Sequence, residues 1–160
     1  MAIYVEWEGM KGNVTADGFA DHMDVISFNF GISRAISMEP GNMSNRENNR
    51  PSLSEITLVK TADNTLNALF KESVTGSAGK KITIRFVQTG GDKVNEFMNY
   101  ELENALVSGY SVSADSHGEP METINISYSK ILASYCDTGA DNSFGSNMVC
   151  GYDLATAKPL

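Results

Sequence analysis

Few residues in this chain have the types and the spacing that catalysis needs. The two histidines, His22 and His117, both lie beside turn-forming stretches, and no serine stands in the pattern of a nucleophile elbow. The two cysteines, Cys136 and Cys150, flank a segment that is rich in Gly, Asn and Ser. Two free thiols are expected in a reducing compartment, and a cross-hairpin disulfide is the alternative after export.

One short motif, Asp137-Thr138-Gly139-Ala140-Asp141, is similar to the active-site loop of retroviral-type aspartic proteases. In that class, one Asp from each subunit of a homodimer shares a proton with its partner. Only 21 residues follow Gly139, whereas those proteases place the loop early and need a flap and a supporting strand after it. A polar turn is the other interpretation, because Asp, Thr and Gly are ordinary turn residues. The protease remains an alternative.

Oxygen-bearing residues in the same segment do not match a calcium loop. The sixth position of an EF-hand loop must be Gly, but Asn142 stands there, and the late bidentate Glu is missing. With so little catalytic chemistry in view, we expect no catalytic residue, no metal site and no cofactor. The chain is therefore predicted not to be an enzyme.

Composition points to a β-rich domain that works through its surface. The 160 residues suit a single domain, 1–160, and 41% of them are apolar, which is enough for a packed core. Ser (17), Asn (14), Thr (10) and Gly (14) together make up 55 residues, which favours many short strands. The formal charge of −8 argues against nucleic acid and against membrane insertion, since anionic partners require a basic face.

Alternating apolar residues predict seven or eight strands. The pattern Ile26, Phe28 and Phe30 turns Ser27 and Asn29 to the opposite face. Further alternation or apolar runs predict strands at the following places: 3–7, 53–60, 82–86, 94–102, 105–114, 122–135 and 148–154.

Two other segments are distinctive. One short amphipathic helix is predicted at about 65–75, with Thr65 as its N-cap and Gly76 as its stop signal. The longest irregular segment, about 38–52, contains four Asn, and its two Glu and two Arg cancel in charge. A loop of this length in a compact domain is usually functional or disordered.

Four segments in order are similar to the haemolysin-coregulated protein (Hcp) family, the tube subunit of type VI secretion. They are His22–Gly31, Leu58–Gly76, Leu102–Tyr110 and Glu122–Ile131. The resemblance covers roughly residues 3 to 135. It departs near the end, where Cys136-Asp137 follows Tyr135 in place of the Pro-Gln pair that is frequent in the family.

The resemblance implies a fold, an assembly and a function. The fold would be mainly β, a compact β-barrel of two packed antiparallel sheets with one short flanking helix. Six copies would form a ring, and rings would stack into a tube inside a contractile sheath, with a VgrG-like spike protein at the tip. Small effector proteins would travel in the lumen. The tube would be cytoplasmic before firing and then secreted without a cleaved signal peptide. A monomeric β-sandwich adhesin or binding module is a further alternative.

Two sets of residues are assigned to this assembly. Ser27 and Asn29 are predicted to face the lumen, because they are small, polar and turned away from the apolar positions of their strand. The long loop is predicted to make ring-on-ring contacts, since its side-chain amides hydrogen-bond without strong repulsion. Its stacking residues are Glu39, Asn42, Asn45, Arg46, Asn48, Asn49 and Arg50.

Overall fold

The computed structural model describes residues 1–41, 50–76, 78–90, 93–139 and 144–160. The described chain contains one helix, α1 (Leu66–Thr75). Its strands, in chain order, are β1 (Ala2–Trp7), β2 (Met23–Val25), β3 (Ser27–Asn29), β4 (Ile32–Ser33), β5 (Ser52–Leu53), β6 (Ile56–Thr61), β7 (Lys80–Gly90), β8 (Lys93–Ser113), β9 (Met121–Ser127), β10 (Lys130–Thr138), β11 (Phe144–Asp153) and β12 (Lys158–Pro159).

The strands form two main antiparallel sheets that share β8. Sheet A has the order β12-β11-β10-β8-β7-β1-β2, and sheet B has the order β3-β6-β9-β8. The first half of β8, up to Ala105, pairs within sheet A, and the half from Leu106 onward pairs with β9 in sheet B. Strands β4 and β5 form a separate two-stranded ribbon.

The expectation of a closed barrel is wrong for the part of the chain that the structure describes. At one end of sheet A, β2 has three residues, and the chain then crosses into sheet B at Ile26, whose N–H donates to the Val59 carbonyl at 2.8 Å. At the other end, β12 has only two residues. The described strands therefore form two packed sheets that share the bent strand β8, rather than one closed barrel.

Several strand boundaries differ from those that the sequence predicts. The expected strand 53–60 is divided, because Leu53 pairs with Ile32 in the separate ribbon and β6 begins only at Ile56. The expected strands 94–102 and 105–114 are one strand, because Asn104 bends β8 at a φ of 53° while pairing continues on both sides. The expected strand 122–135 is two strands, because the chain passes from sheet B to sheet A at Ser129, whose N–H donates to the Glu103 carbonyl. The strand that is predicted at 148–154 as the last one begins at Phe144, and the short strand β12 follows it.

The core lies between the two sheets. Trp7 and Ile84 contribute from sheet A, Leu58 and Ile126 contribute from sheet B, and Leu69 contributes from the helix. Burying such side chains is the main driving force for folding, at about 1.5 to 3 kcal/mol each. Ile26, predicted to share the core face with Phe28, is instead 58% exposed, because it lies at the crossing between the sheets.

The helix packs through a narrower face than its sequence predicts. Leu69 is fully buried, whereas Phe70 and Val74 are 59% and 68% exposed. Thr65 is the N-cap residue, as predicted, but its hydroxyl does not accept from a backbone N–H of the helix. Thr65 instead donates both its N–H and its hydroxyl to Asp63 Oδ1, at 2.9 and 2.5 Å. The predicted end at Gly76 is confirmed, and its N–H donates to the Glu72 carbonyl.

The turn between β11 and β12 holds an alanine in a strained backbone conformation. Ala157 has a φ of 55°, in the left-handed region that disfavours residues with a Cβ atom. We expect Ala157→Gly to raise the free energy of unfolding by roughly 0.5 to 1 kcal/mol, after allowance for the greater unfolded-state entropy of Gly. Urea unfolding measures this change. Ala155→Gly in the same turn is the control, and an equal loss of stability in both variants would contradict the argument.

Candidate functional site

The outward face of sheet B is built from small uncharged side chains. Strands β6 and β9 alternate buried and partly exposed positions, and the partly exposed positions point away from the core. Ser27 and Asn29 occupy the corresponding exposed positions of β3. We call this surface the neutral face, and it comprises Ser27, Asn29, Thr57, Val59, Thr61, Ser111, Ser113, Met121, Thr123 and Asn125.

The strand register brings these residues into rows across the sheet. Asn29 lies opposite Thr57, and Thr57 lies opposite Asn125. The Thr57 hydroxyl donates to Asn125 Oδ1 at 2.9 Å, so the amide lies flat across the neighbouring strand. Gly109 completes the row, and a Cβ there would lie 2.8 Å from Asn125 Nδ2. The row therefore presents hydroxyl and amide groups on a smooth surface.

The charged residues of β6 and β9 both point inward. Lys60 and Glu122 are opposite each other in the register, and each is 0% exposed. Lys60 Nζ lies 2.5 Å from Glu122 Oε2 and 2.8 Å from Asp63 Oδ1. The Tyr110 hydroxyl donates to Glu122 Oε1 at 2.5 Å. Because buried charges are costly unless paired, this cluster is stable only as a complete set.

Protonation within the cluster follows from these contacts. Burial and the hydrogen bond to Glu122 raise the pKa of Tyr110 well above its usual value, so the phenol remains a donor. Burial acts to raise the pKa of Asp63, but hydrogen bonds from Lys60 and Thr65 outweigh it and hold the pKa below the usual 3.8. At neutral pH, Lys60 therefore meets an ionised Asp63 carboxylate.

The outward face of sheet A has the opposite character. Arg85 on β7 pairs with Glu6 at 2.8 Å and with Glu96 at 2.9 Å. Burial acts to lower the pKa of Arg85, but its two carboxylate partners outweigh it and raise the pKa. Glu101 and Lys130 lie on the same sheet. The two faces of the molecule therefore differ sharply in charge.

The residues predicted for the lumen lie on the neutral face, and their lumen role stays a prediction. Sequence reasoning missed Thr57, Thr123 and Asn125, although the alternation in Ile56–Thr61 and Met121–Ser127 was the signal that could have found them. The residues predicted for stacking are only partly described. Glu39 and Arg50 are exposed, and the rest lie outside the described residues, namely Asn42, Asn45, Arg46, Asn48 and Asn49.

Among its described residues, the protease-like motif shows no catalytic arrangement. Asp137 and Thr138 continue strand β10 rather than a loop, Asp137 is exposed, and Ala140 and Asp141 lie outside the described residues. Within the described ranges, no cluster of His, Cys, Asp and Glu is suited to hold a metal ion.

The two cysteines do not pair. Cys150 lies opposite Ala133, and Cys136 is three residues farther along β10, so the two side chains point to opposite faces of the hairpin. Both thiols are free. Among the described residues, no helix is long and apolar enough to cross a membrane.

Comparison with solved structures shows a shared fold. A type six secretion system protein is 23% identical, covers 99% of each chain and has a TM-score of 0.91. Hcp1 from Salmonella typhimurium is 18% identical, covers 99% of each chain and has a TM-score of 0.75. A type VI secretion system effector from Yersinia pestis is 12% identical, with 94% of this chain and 98% of that chain covered and a TM-score of 0.75.

Comparison of the sequence itself shows the family. A search of curated protein sequences returns no significant match. The family model described as "Type VI secretion system effector, Hcp" matches residues 4–135. Because this match spans most of the chain and the fold agrees along its whole length, the chain belongs to the Hcp family of type VI secretion tube proteins.

Proposed function

We propose that this chain is the structural subunit of a type VI secretion inner tube, with the neutral face of sheet B lining the lumen. Six copies form a ring, and stacked rings form the tube. The observation that carries the proposal is the neutral face itself, a four-stranded surface of mostly small polar side chains, with the apolar Val59 and Met121 among them and no charge at its described outward positions. Such a wall holds cargo weakly and lets it slide.

Exposed strand edges support ring formation. A ring needs a heterologous interface, in which two different sides of each subunit meet. Strand β11 pairs with β12 only at Tyr152 and Asp153, so most of its outer edge has no strand partner among the described residues. Unpaired edges of this kind readily bind another chain.

The long loop, about 38–52, makes the contacts between stacked rings in this proposal. Its amide-rich, charge-balanced sequence supports that role, and the exposure of Glu39 and Arg50 at its described ends is consistent with it. A VgrG-like spike protein at the tip, a contractile sheath around the tube and small effectors inside it are the other partners. The tube assembles in the cytoplasm, and contraction of the sheath expels it.

An apolar substitution on the neutral face tests the assignment to the lumen. We expect Asn29→Phe to leave the six-membered ring intact and to lower the amount of effector that co-purifies, because the phenyl side chain of Phe obstructs the surface along which cargo slides. Asp24→Phe is the matched control, since Asp24 is exposed on β2 in sheet A. Co-purification coupled to negative-stain imaging measures both effects. Unchanged cargo on intact Asn29→Phe rings would count against the proposal.

The net charge predicts a salt dependence of stacking. Six copies at −8 each give a formal charge of −48 per ring, so rings repel one another at low salt. Salt shortens the Debye length from about 30 Å at 0.01 M to about 10 Å at 0.1 M, and we therefore expect longer tubes at higher salt. Tube length in electron micrographs measures this, and stacking that does not respond to salt would refute the charge argument.

A further inference from the structure

The neutral face carries no charge at its described outward positions, which bears on the choice of cargo. We propose that the face binds polypeptide cargo through hydrogen bonds and does not select cargo by the sign of its charge. The inference rests on the proposed function, because it assumes that this face lines the lumen. It adds a selectivity to that function, namely indifference to the sign of the net charge of the polypeptide.

The first argument is the absence of charge from the described outward positions of four strands. The whole chain carries 20 acidic and 12 basic residues, so charged residues are common elsewhere. Within β3, β6, β9 and the second half of β8, the charged residues are Lys60 and Glu122, and both are buried. Cargo that contacts this face therefore meets no fixed charge.

The buried cluster behind the face is itself nearly compensated. Lys60 offsets one carboxylate charge, and the second carboxylate, Asp63, accepts the Thr65 N–H at the first turn of α1. The N-terminus of a helix carries a partial positive charge of about half a unit, which offsets much of the remainder. The cluster therefore projects little net charge through the sheet.

The ionic network of sheet A acts only weakly on cargo at the neutral face. Arg85, Glu6 and Glu96 belong to sheet A, on the far side of the core. Arg85 pairs with both carboxylates, so the three groups together carry a net charge of only about −1. At the opposite sheet, about 10 Å away, the field of this compensated network is weak.

Hydroxyl and amide groups suit polypeptide of any sequence. Ser and Thr hydroxyls both donate and accept hydrogen bonds, and the amide of Asn29 does the same. Backbone N–H and C=O groups are present in every polypeptide, whereas nucleic acid binding depends on cationic side chains, which the described neutral face lacks. The chemistry of the face therefore favours polypeptide over nucleic acid.

Partition of two synthetic peptides into assembled rings tests the inference. The peptides share one length and a Gly/Ser background, and one carries Lys where the other carries Asp. Their partition into immobilised rings is measured by fluorescence at about 150 and about 500 mM NaCl, because at the lower value the Debye length is already about 8 Å and the net charge on the outside of the ring is largely screened in solvent. As a control, the same peptides carry a bead at each end, which keeps them out of the lumen. The amount of these blocked peptides that binds measures binding to the outside of the ring, and it is subtracted.

Wild-type rings are expected to take up the two peptides equally, within about twofold, at both salt concentrations. Asn29→Asp places six carboxylates in the ring and should favour the Lys peptide by about tenfold at low salt, with the preference lost at high salt. Asn29→Lys should reverse the preference. Asp24→Asn, which changes the charge of each subunit by one unit on sheet A, away from the neutral face, should leave the partition of both peptides unchanged.

The outcomes separate the two proposals. Wild-type rings that discriminate by about tenfold at low salt, while the Asn29 variants still shift the preference, would overturn charge indifference and leave the lumen assignment standing. Intact Asn29→Asp and Asn29→Lys rings with unchanged partition would show instead that the neutral face does not line the lumen.

Discussion

Replacing Glu122 with Ala is expected to lower the free energy of unfolding by roughly 3 to 5 kcal/mol, because it leaves Lys60 charged and half-paired in the core. Lys60 and Glu122 are both fully buried, and the Nζ–Oε2 distance between them is 2.5 Å. Tyr110 also loses its acceptor, since its hydroxyl donates to Glu122. A loss of this size is a large part of the stability of an ordinary domain, about 5 to 15 kcal/mol.

Urea unfolding with two companion variants makes this prediction specific. The triple variant Lys60→Met/Asp63→Asn/Glu122→Leu removes all three charges of the cluster and keeps the side-chain oxygen of residue 63 that accepts from Thr65, so it should cost much less than Glu122→Ala. Glu103→Ala is the surface control, because Glu103 lies 3.6 Å from Lys130 and both side chains are partly exposed. Surface pairs contribute about 0 to 1 kcal/mol. A Glu122→Ala protein as stable as the Glu103→Ala protein would contradict the role of the buried cluster.

Deletion of residues 42–49 is expected to abolish secretion while single rings still form. The proposal assigns the loop to contacts between rings. Without these contacts the rings do not form a tube, and contraction of the sheath has no tube to expel. The deletion removes four of the loop's Asn residues and leaves both described sheets and the β4–β5 ribbon in the sequence. The amount of the protein in culture medium measures secretion, and native mass spectrometry measures the ring.

A substitution series separates loop length from loop chemistry. Replacing the same eight residues by a Gly/Ser segment of equal length keeps the span but removes the Asn amides, Arg46 and Glu47. We expect this variant also to fail in stacking. Loss of the ring itself in either variant would contradict the stacking role and would assign the loop to the contact between neighbouring subunits of one ring.

Alternation along single strands predicted most of the fold. The period of two in Ile3, Val5 and Trp7 and in Ile82, Ile84 and Phe86 correctly identified strands and their buried sides. It also turned Ser27 and Asn29 outward, as the structure has them. Local sequence is sufficient there because successive side chains of a strand point to opposite faces of the sheet, so the buried positions of a half-buried strand recur every two residues.

Features that depend on distant contacts were not predictable from local sequence. Lys60 occupies the next inward position of β6 after Ile56 and Leu58. Its partner Glu122 lies on a strand far along the chain, so the pair is not visible in the local sequence. The bend at Asn104 keeps β8 continuous across two sheets, which the pattern of apolar residues does not show. Ile26 follows the alternation and is still exposed, because the chain changes sheets there.

The remaining site residues required the register between strands. Thr57, Thr123 and Asn125 each lie on a strand that the sequence predicted, but only cross-strand pairing shows that they share one face with Asn29. Pairing over such distances follows from tertiary packing rather than from local propensity. The neutral face is thus a property of the folded sheet.

Cryo-electron microscopy of the purified protein tests the central claim most directly. The account predicts a closed six-membered ring in which β3, β6 and β9 line the opening, with the side chains of Ser27, Asn29 and Asn125 pointing into it. A monomer, or a ring in which the neutral face points outward, would contradict it.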